Sequence, residues 1–474
     1  MQISTKSSTF ARNYVSVLLS FIDHILKKLT LSETKAKVIR NLLWAVTGKV
    51  VTLLGSLLVG IFVARYLGPE QYGLMQYVIS YVALFQVFAS FGLDNIEIRE
   101  EAKCCSVSDT TVAPTCEINR IIGTAFYLKL FFAAITICAV IATAWLFEAD
   151  TFTRWMISLY ALSMVCQTFG VIRNYFTAII WNEYIVKTEI SRTIIGAFIK
   201  VVLLLLHAPL GYFIAATLFD TVLIAGGYLL SYRKKIGTPR AWTFDVPTAK
   251  YILKESFPLL LSGAAIVIYQ RIDKVLLMHL MDSSAVGQYA IAVSFVEVCI
   301  FIPTIIAQTV TPILVNDYAA DRKYYLQRAQ LFLNVTTWVC ILLAIGVSLL
   351  SYPLVRYTYG VQYLLAVPAL QVLVFRVVGI ACMQTSGQMI IVENKQKWAV
   401  IRNAIGAVFS VLFNVWLIPI YGIIGAAIAG FLSTMIAGFF ANAIISDYRD
   451  VFFMQCRAFI FGWKDMLHVN RLCK

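Results

Sequence analysis

One stretch of this chain occurs twice. Residues 183–209 (EYIVKTEISRTIIGAFIKVVLLLLHAP) and 393–419 (ENKQKWAVIRNAIGAVFSVLFNVWLIP) align at a constant offset of 210. Glu183, Lys187, Arg192, Ile195, Gly196, Ala197 and Pro209 fall on Glu393, Lys397, Arg402, Ile405, Gly406, Ala407 and Pro419. Shared hydrophobicity does not place an acid, two bases, a glycine and a proline in one register, so the stretches are duplicates. Each reads as a polar connection followed by one apolar helix, which the proline closes. The chain must therefore fold as two related halves.

Composition says where those halves live. With 60% apolar and 14% charged residues and a mean hydropathy of +0.79, the chain is too apolar for a soluble domain and belongs in a bilayer. Twelve apolar segments of roughly 20 residues absorb most of its length. They lie near 42–64, 72–92, 121–147, 155–174, 188–207, 210–231, 256–279, 288–312, 331–352, 363–390, 398–418 and 422–446. The expected fold is an all-α integral membrane protein of about twelve transmembrane helices. They form an N-lobe (42–231) and a C-lobe (256–446), joined by a charged, proline-containing linker at 232–255 and flanked by tails at 1–41 and 447–474.

A second, weaker match extends the duplication: Gly73 and Ser80 open span 2 with the spacing that Gly287 and Ser294 show in span 8. Six spans per half is an even number, so both halves enter and leave on one side. Such repeats are parallel, related by a pseudo-two-fold axis along the membrane normal, with the cleft between them as the natural binding site.

Both tails look interfacial. Val15, Leu18, Leu19, Ile22, Ile25, Leu26 and Leu29 form one helical face opposite Arg12, Asp23, Lys27 and Lys28, which suits a helix lying on the membrane; a loose basic tail is the alternative. No cleaved signal peptide is expected. In the C-tail, Phe452, Phe453, Phe459 and Phe461 alternate with Arg457 and Lys464.

Thirty of the 39 Lys and Arg residues fall in the tails, in the connections after spans 2, 4, 6, 8 and 10, or within four residues of the span ends that adjoin them, whereas only Arg65, Arg154 and Arg356 lie on the other side. This split puts both termini in the cytoplasm. The net charge of +14 is then a topogenic bias with attraction to anionic lipid, and nucleic acid need not be invoked. The ten cysteines show no zinc spacing, and Cys104, Cys105 and Cys116 share a cytoplasmic connection where free thiols are expected.

Six bases remain, each more than four residues inside a span: Lys49, Lys129, Lys200, Arg271, Lys274 and Arg376. A lipid-facing charge costs about 3 kcal/mol or more, so these should face protein or water. Lys49 lies on a stripe of small and polar residues, Asn41, Ala45, Gly48, Thr52, Ser56 and Gly60, that leaves room beside an ammonium. The alternative is a helix-packing stripe from which Lys49 snorkels to the headgroups. The spans hold three acids, Asp220, Asp273 and Glu297, which are candidate charge partners or ion-coupling groups. Bases exceed acids by three, which suggests an anionic ligand such as a phosphate or pyrophosphate. The bases expected to bind it are Lys49 and Arg271, then Arg376 and Lys129. Lys49, eight residues from its helix end, would sit about 12 Å deep.

Two runs then resemble a known family. VARYLGPEQYGLMQYVISYVALFQVFASFGLD, from Val63 to Asp94, resembles the start of bacterial lipid-linked oligosaccharide flippases of the polysaccharide transporter family, and FNVWLIPIYGIIGAAIAG, from Phe413 to Gly430, is similar to that family's last two helices. The resemblance covers about 40–446, and the wider multidrug, oligosaccharidyl-lipid and polysaccharide superfamily shares the architecture. It implies movement of an undecaprenyl-pyrophosphate-linked sugar unit from the inner to the outer leaflet of a bacterial cytoplasmic membrane, alongside glycosyltransferases and a polysaccharide polymerase. The N-tail is longer than this family leads one to expect.

Two other classes compete. A cation-coupled multidrug exporter on the same scaffold would favour acids, where span 1 offers Lys49. A membrane polymerase or ligase would show a large outer loop with catalytic residues, whereas the outer connections are short and the four histidines scattered. The expected mechanism is alternating access, with Gly48, Gly60, Pro258, Gly263, Gly379 and Gly387 as points of bending or close packing. No cofactor or nucleotide site is expected; a proton or sodium gradient, the membrane potential, or removal of product would drive the cycle.

Overall fold

The computed structural model describes residues 33–107, 116–395 and 398–466, and every regular element within them is helical. The amphipathic face expected from Val15 to Leu29 lies outside the described residues, as does Lys397. The long helices are α1 (Glu33–Ser90), α2 (Asp94–Val107), α3 (Cys116–Phe147), the interrupted run α4 (Thr151–Ala161), α5 (Ser163–Gln167) and α6 (Gly170–Ala178), then α7 (Asn182–Leu205) and α8 (Leu210–Lys235). After the linker come α9 (Val246–Leu280), α10 (Ser283–Ala320), α11 (Arg322–Leu349), α12 (Ser351–Thr358), α13 (Ala366–Leu373), α14 (Arg376–Val392) and α15 (Ala399–Met435). A π turn leads from α15 into α16 (Ala441–Ile444), and the chain ends in α17 (Arg449–Phe461) and α18 (Trp463–Met466).

Among the described residues nine helices are long and apolar enough to cross a membrane. Two of them are double. α1 breaks at Gly68 (φ 73°, ψ 172°), just before Pro69, and α15 breaks at Gly422 (φ 58°, ψ −131°). Both residues occupy backbone regions that a Cβ atom all but forbids, which is why glycine stands at each reversal. Counting both doubles, and adding α7, whose charges keep it out of the nine, accounts for the twelve expected spans. Span 2 is followed by α2 where the sequence reads as a connection.

The prolines of the duplicated stretch do not close their helices as expected. α7 ends at Leu205, His207 turns the chain with φ 52°, and Pro209 is the extended residue that opens α8. Pro419 lies within α15, three residues before its break at Gly422. Proline removes a backbone donor and crowds the preceding turn but cannot itself adopt a positive φ, so the reversals are made at His207 and Gly422, both at positive φ.

The repeated glycines are crossing points. A Cβ on Gly196 would lie 2.1 Å from Asp220 Oδ1 of α8, and one on Gly406 would lie 2.7 Å from the Ala437 Cβ in the π turn. Between helices in lipid there is little hydrophobic drive, so close approach at small residues supplies the packing.

By contact the described residues form two compact units, each assembled from three stretches: those up to 59, those in 93–134 and 162–254 in the first, and 60–92, 135–161 and those from 255 onward in the second. The first has a core of Ile122, Val171, Tyr175, Phe176, Tyr228 and Tyr232, closed by Trp242 of the linker, whose indole N–H donates to the Tyr232 hydroxyl at 3.1 Å. The linker is thus packed rather than loose: the Asp245 amide donates to Thr124 Oγ1 at 3.0 Å. Asp245 in turn caps α9 through the hydroxyl and amide of Thr248, which hold its carboxyl below the usual carboxylate range. In the second unit α10, α11, α14 and α17 share a core that includes Ala307, Leu314, Tyr325, Phe332, Leu333 and Met389.

Candidate substrate-binding site

α9 carries three charges within one turn, and its 100° step separates their roles. Arg271 and Lys274, three residues apart, share a face, while Asp273 points elsewhere. Asp273, 2% exposed, accepts from the Tyr289 hydroxyl at 2.6 Å and lies 3.7 Å from Arg376 Nη1. Arg376 opens α14, where its Nη2 donates to the Tyr269 carbonyl at 2.8 Å and its buried Nε has no hydrogen-bond partner. Gly430 packs beside this group: a Cβ there would meet Leu373 Cδ1 at 3.2 Å and stand at ordinary contact distance, 3.5 and 3.7 Å, from the Tyr289 hydroxyl and Arg376 Nη1.

Arg271 faces Glu297 of α10 at 3.8 Å, with both side chains partly open. Lys274 differs from both neighbours. It is 3% exposed, its Nζ donates to Gln76 Oε1 of α1 at 3.2 Å, and no carboxylate lies in ion-pair range among the described residues. A buried ammonium held by one neutral amide is poorly compensated, so an anion beside it would be favoured. This corner of the second unit holds three bases, Arg271, Lys274 and Arg376, against two acids, Asp273 and Glu297.

The other expected residues lie in the first unit or are compensated there. Lys129 is enclosed by Asp94 and Glu97, each at 2.7 Å, and Asn174 Nδ2 bridges the same two carboxylates at 2.9 and 2.6 Å. Its charge is balanced locally by acids that the sequence places in a connection. Asp220 pairs with Lys200 at 2.6 Å. Lys49 is exposed and has no ion-pair partner among the described residues. The stripe beside it divides: Gly48 and Gly55 pack on Val186 and Thr193 of α7, where a Cβ would come within 2.5 and 2.8 Å, while nothing lies within 4 Å of a Cβ on Gly60.

Two residues have more importance than the sequence suggested. Lys274 was one base among six in the spans, and the structure buries it against Gln76, about 200 residues away in sequence. Arg402 was grouped with the topogenic bases, yet it is 6% exposed, donates to Ser386 Oγ at 3.1 Å and keeps an unpartnered Nε. Its counterpart in the repeat, Arg192, also has a buried Nε without a partner. That shared environment was signalled by their matched positions in the duplicate.

A sequence profile for the polysaccharide biosynthesis protein family matches residues 38–316, and one for the MatE family matches residues 258–416. No curated protein matches the chain. Solved structures do. An inward-facing multidrug resistance MATE family transporter of the MOP superfamily superposes with a TM-score of 0.63 at 15% identity, covering 86% of this chain and 94% of its own. The lipid II flippase MurJ in an inward closed conformation gives a TM-score of 0.63 at 14% identity, covering 91% and 93%. A MOP superfamily transporter from Pyrococcus furiosus, described as having a binding pocket of reverse polarity, gives 0.55 at 16%, covering 90% and 96%. With more than half of its length matched by the first profile, the chain belongs to the polysaccharide biosynthesis protein family and has the fold of the MOP-superfamily transporters.

Proposed function

We propose that this protein is a flippase that carries an undecaprenyl-pyrophosphate-linked oligosaccharide from the cytoplasmic to the outer leaflet by alternating access, for surface polysaccharide synthesis. The observation that carries this reading is Lys274: a buried base with no carboxylate in ion-pair range among the described residues, one turn from Arg271 and near the Arg376–Asp273 pair. A pyrophosphate offers the charge that this corner lacks, Lys274 serving as a point charge and Arg271 as a two-pronged donor once it leaves Glu297. Lys49, exposed and unpaired among the described residues, is the base proposed to meet the anion first. The protein would work in the bacterial inner membrane with both termini in the cytoplasm, receiving its cargo from glycosyltransferases and passing it to a polymerase.

A second reading, a cation-coupled multidrug exporter, is favoured by the MatE match over 258–416. Proteoliposomes containing purified protein distinguish the two. The flippase reading expects outward movement of an undecaprenyl-pyrophosphate-linked oligosaccharide that drops at least about tenfold in Lys274→Ala, the range for a lost charged contact. Transport of a cationic dye with no movement of the lipid-linked sugar would reverse the assignment.

A further inference from the structure

A cavity of about 890 Å³ opens between the first turns of α11 and the terminal helix α17, away from the α9 site. Two helical stripes form its walls. From α11 come Arg322, Leu326 and Gln330 at four-residue intervals, with Lys323 alongside; from α17 come Asp450, Phe453, Met454 and Arg457 at intervals of three or four. Its floor is apolar, and its rim carries three bases. Two acids also line it. Glu393 is occupied by Lys395 at 2.6 Å and by the Tyr325 hydroxyl at 3.1 Å, which leaves Asp450 alone against Arg322, Lys323 and Arg457.

α17 is fastened to the bundle rather than lying loose upon it. Gln455 Nε2 donates to the carbonyls of Cys382 and Gly438, both at 3.0 Å, and Trp338 Nε1 donates to the Ala458 carbonyl at 2.9 Å. On its open side Phe453, Ile460 and Phe461, together with Trp463 of α18, are exposed, and Lys464 stands over the Phe461 and Trp463 rings. A fixed short helix with exposed aromatics and adjoining bases has the composition of a membrane-interface element. The stretches forming this cavity are also among those that carry the chain's excess of Lys and Arg.

We propose that this cavity binds the headgroup of an anionic phospholipid. A phosphodiester would sit among Arg322, Lys323 and Arg457, with its acyl chains starting over Leu326, Phe453 and Met454. A free phosphate would use the rim but leave the apolar floor empty, and a zwitterionic choline lipid would bring no net charge to three bases. The inference goes beyond the transport reading and stands whether or not the cargo is a lipid-linked sugar.

The test uses the full-length protein. Purified in detergent, it is exposed to mixed micelles of phosphatidylglycerol or phosphatidylcholine, and retained lipid is counted by native mass spectrometry. Phosphatidylglycerol should be retained in preference, and Arg457→Gln, Lys323→Gln and Arg322→Gln should each weaken retention roughly fivefold, about what one base contributes near an anionic surface. Lys464→Gln, outside the cavity, should retain lipid as the wild type does. If one of these variants fails to fold, the other two carry the test. Equal retention of both lipids by the wild type, unchanged retention in the cavity variants, or displacement of phosphatidylglycerol by millimolar inorganic phosphate would each overturn the proposal.

Discussion

Gly73 and Gly287 each stand where the other's helix leaves no room for a side chain. A Cβ on Gly73 would fall 1.7 Å from the Ser283 carbonyl oxygen, and one on Gly287 would fall 2.0 Å from the Pro69 carbonyl oxygen. Both clashes are with backbone, so no rotamer change relieves them. The contact is reciprocal, as expected of positions matched by a duplication. It joins the second half of α1 to the start of α10, the stretch that supplies Gln76 to Lys274.

Enlarging either glycine should therefore be felt. Gly73→Ala and Gly287→Ala should each lower stability by about 1–3 kcal/mol, the range for overpacking a tight contact. Thermal unfolding of the purified protein reads this directly. Gly60→Ala, which meets open space, should leave the midpoint unchanged.

Arg376 and Lys274 are both buried bases, yet removing them should have opposite consequences. Arg376→Met leaves Asp273 buried with the Tyr289 hydroxyl and the Lys274 amide as donors but no guanidinium beside it, which should cost about 3–5 kcal/mol and reduce the amount of folded protein. Lys274→Met removes a buried charge that has no carboxylate in ion-pair range among the described residues, so it should fold at least as well as wild type while losing transport. Normal transport by well-folded Lys274→Met would remove this lysine from the site.

Lys129 should behave like Arg376. Lys129→Met leaves Asp94 and Glu97 facing one another with only Asn174 between them, and membrane levels should fall sharply. Adding Glu97→Gln should restore part of the loss, because the second change removes the charge that the first exposed. Absence of any rescue would show that Lys129 matters for something other than this pairing.

Lys49 offers a separate test, since no ion pair among the described residues depends on it. Lys49→Ala should abolish export at normal protein abundance, while Lys49→Arg should retain part of it, charge persisting although geometry changes. A lysine that only snorkels to the headgroups would tolerate alanine.

The distribution of bases makes a topological prediction. A reporter active only outside the cytoplasm should work when fused after Glu70 or Ser284 and should fail after Lys235. Activity after Lys235 would overturn the proposed orientation.

The sequence by itself determined that this is an all-helical membrane protein built from a duplication, because apolar runs of bilayer length and a matched polar register survive without knowledge of any contact. It also marked Gly73 and Gly287 as equivalent, and it singled out the charges inside the spans. It did not show how those charges divide. Arg271 and Lys274 look alike in sequence, but one faces Glu297 and the other is buried against Gln76. Lys129 looked available until Asp94 and Glu97, read as part of a connection, proved to enclose it. Arg402 looked topogenic until its burial was seen. Only the tertiary structure decided these cases. Hydropathy is a property of a segment and can be summed along the chain, whereas the balance of a buried charge depends on which groups stand within a few ångströms of it, and those come from elements far apart in sequence.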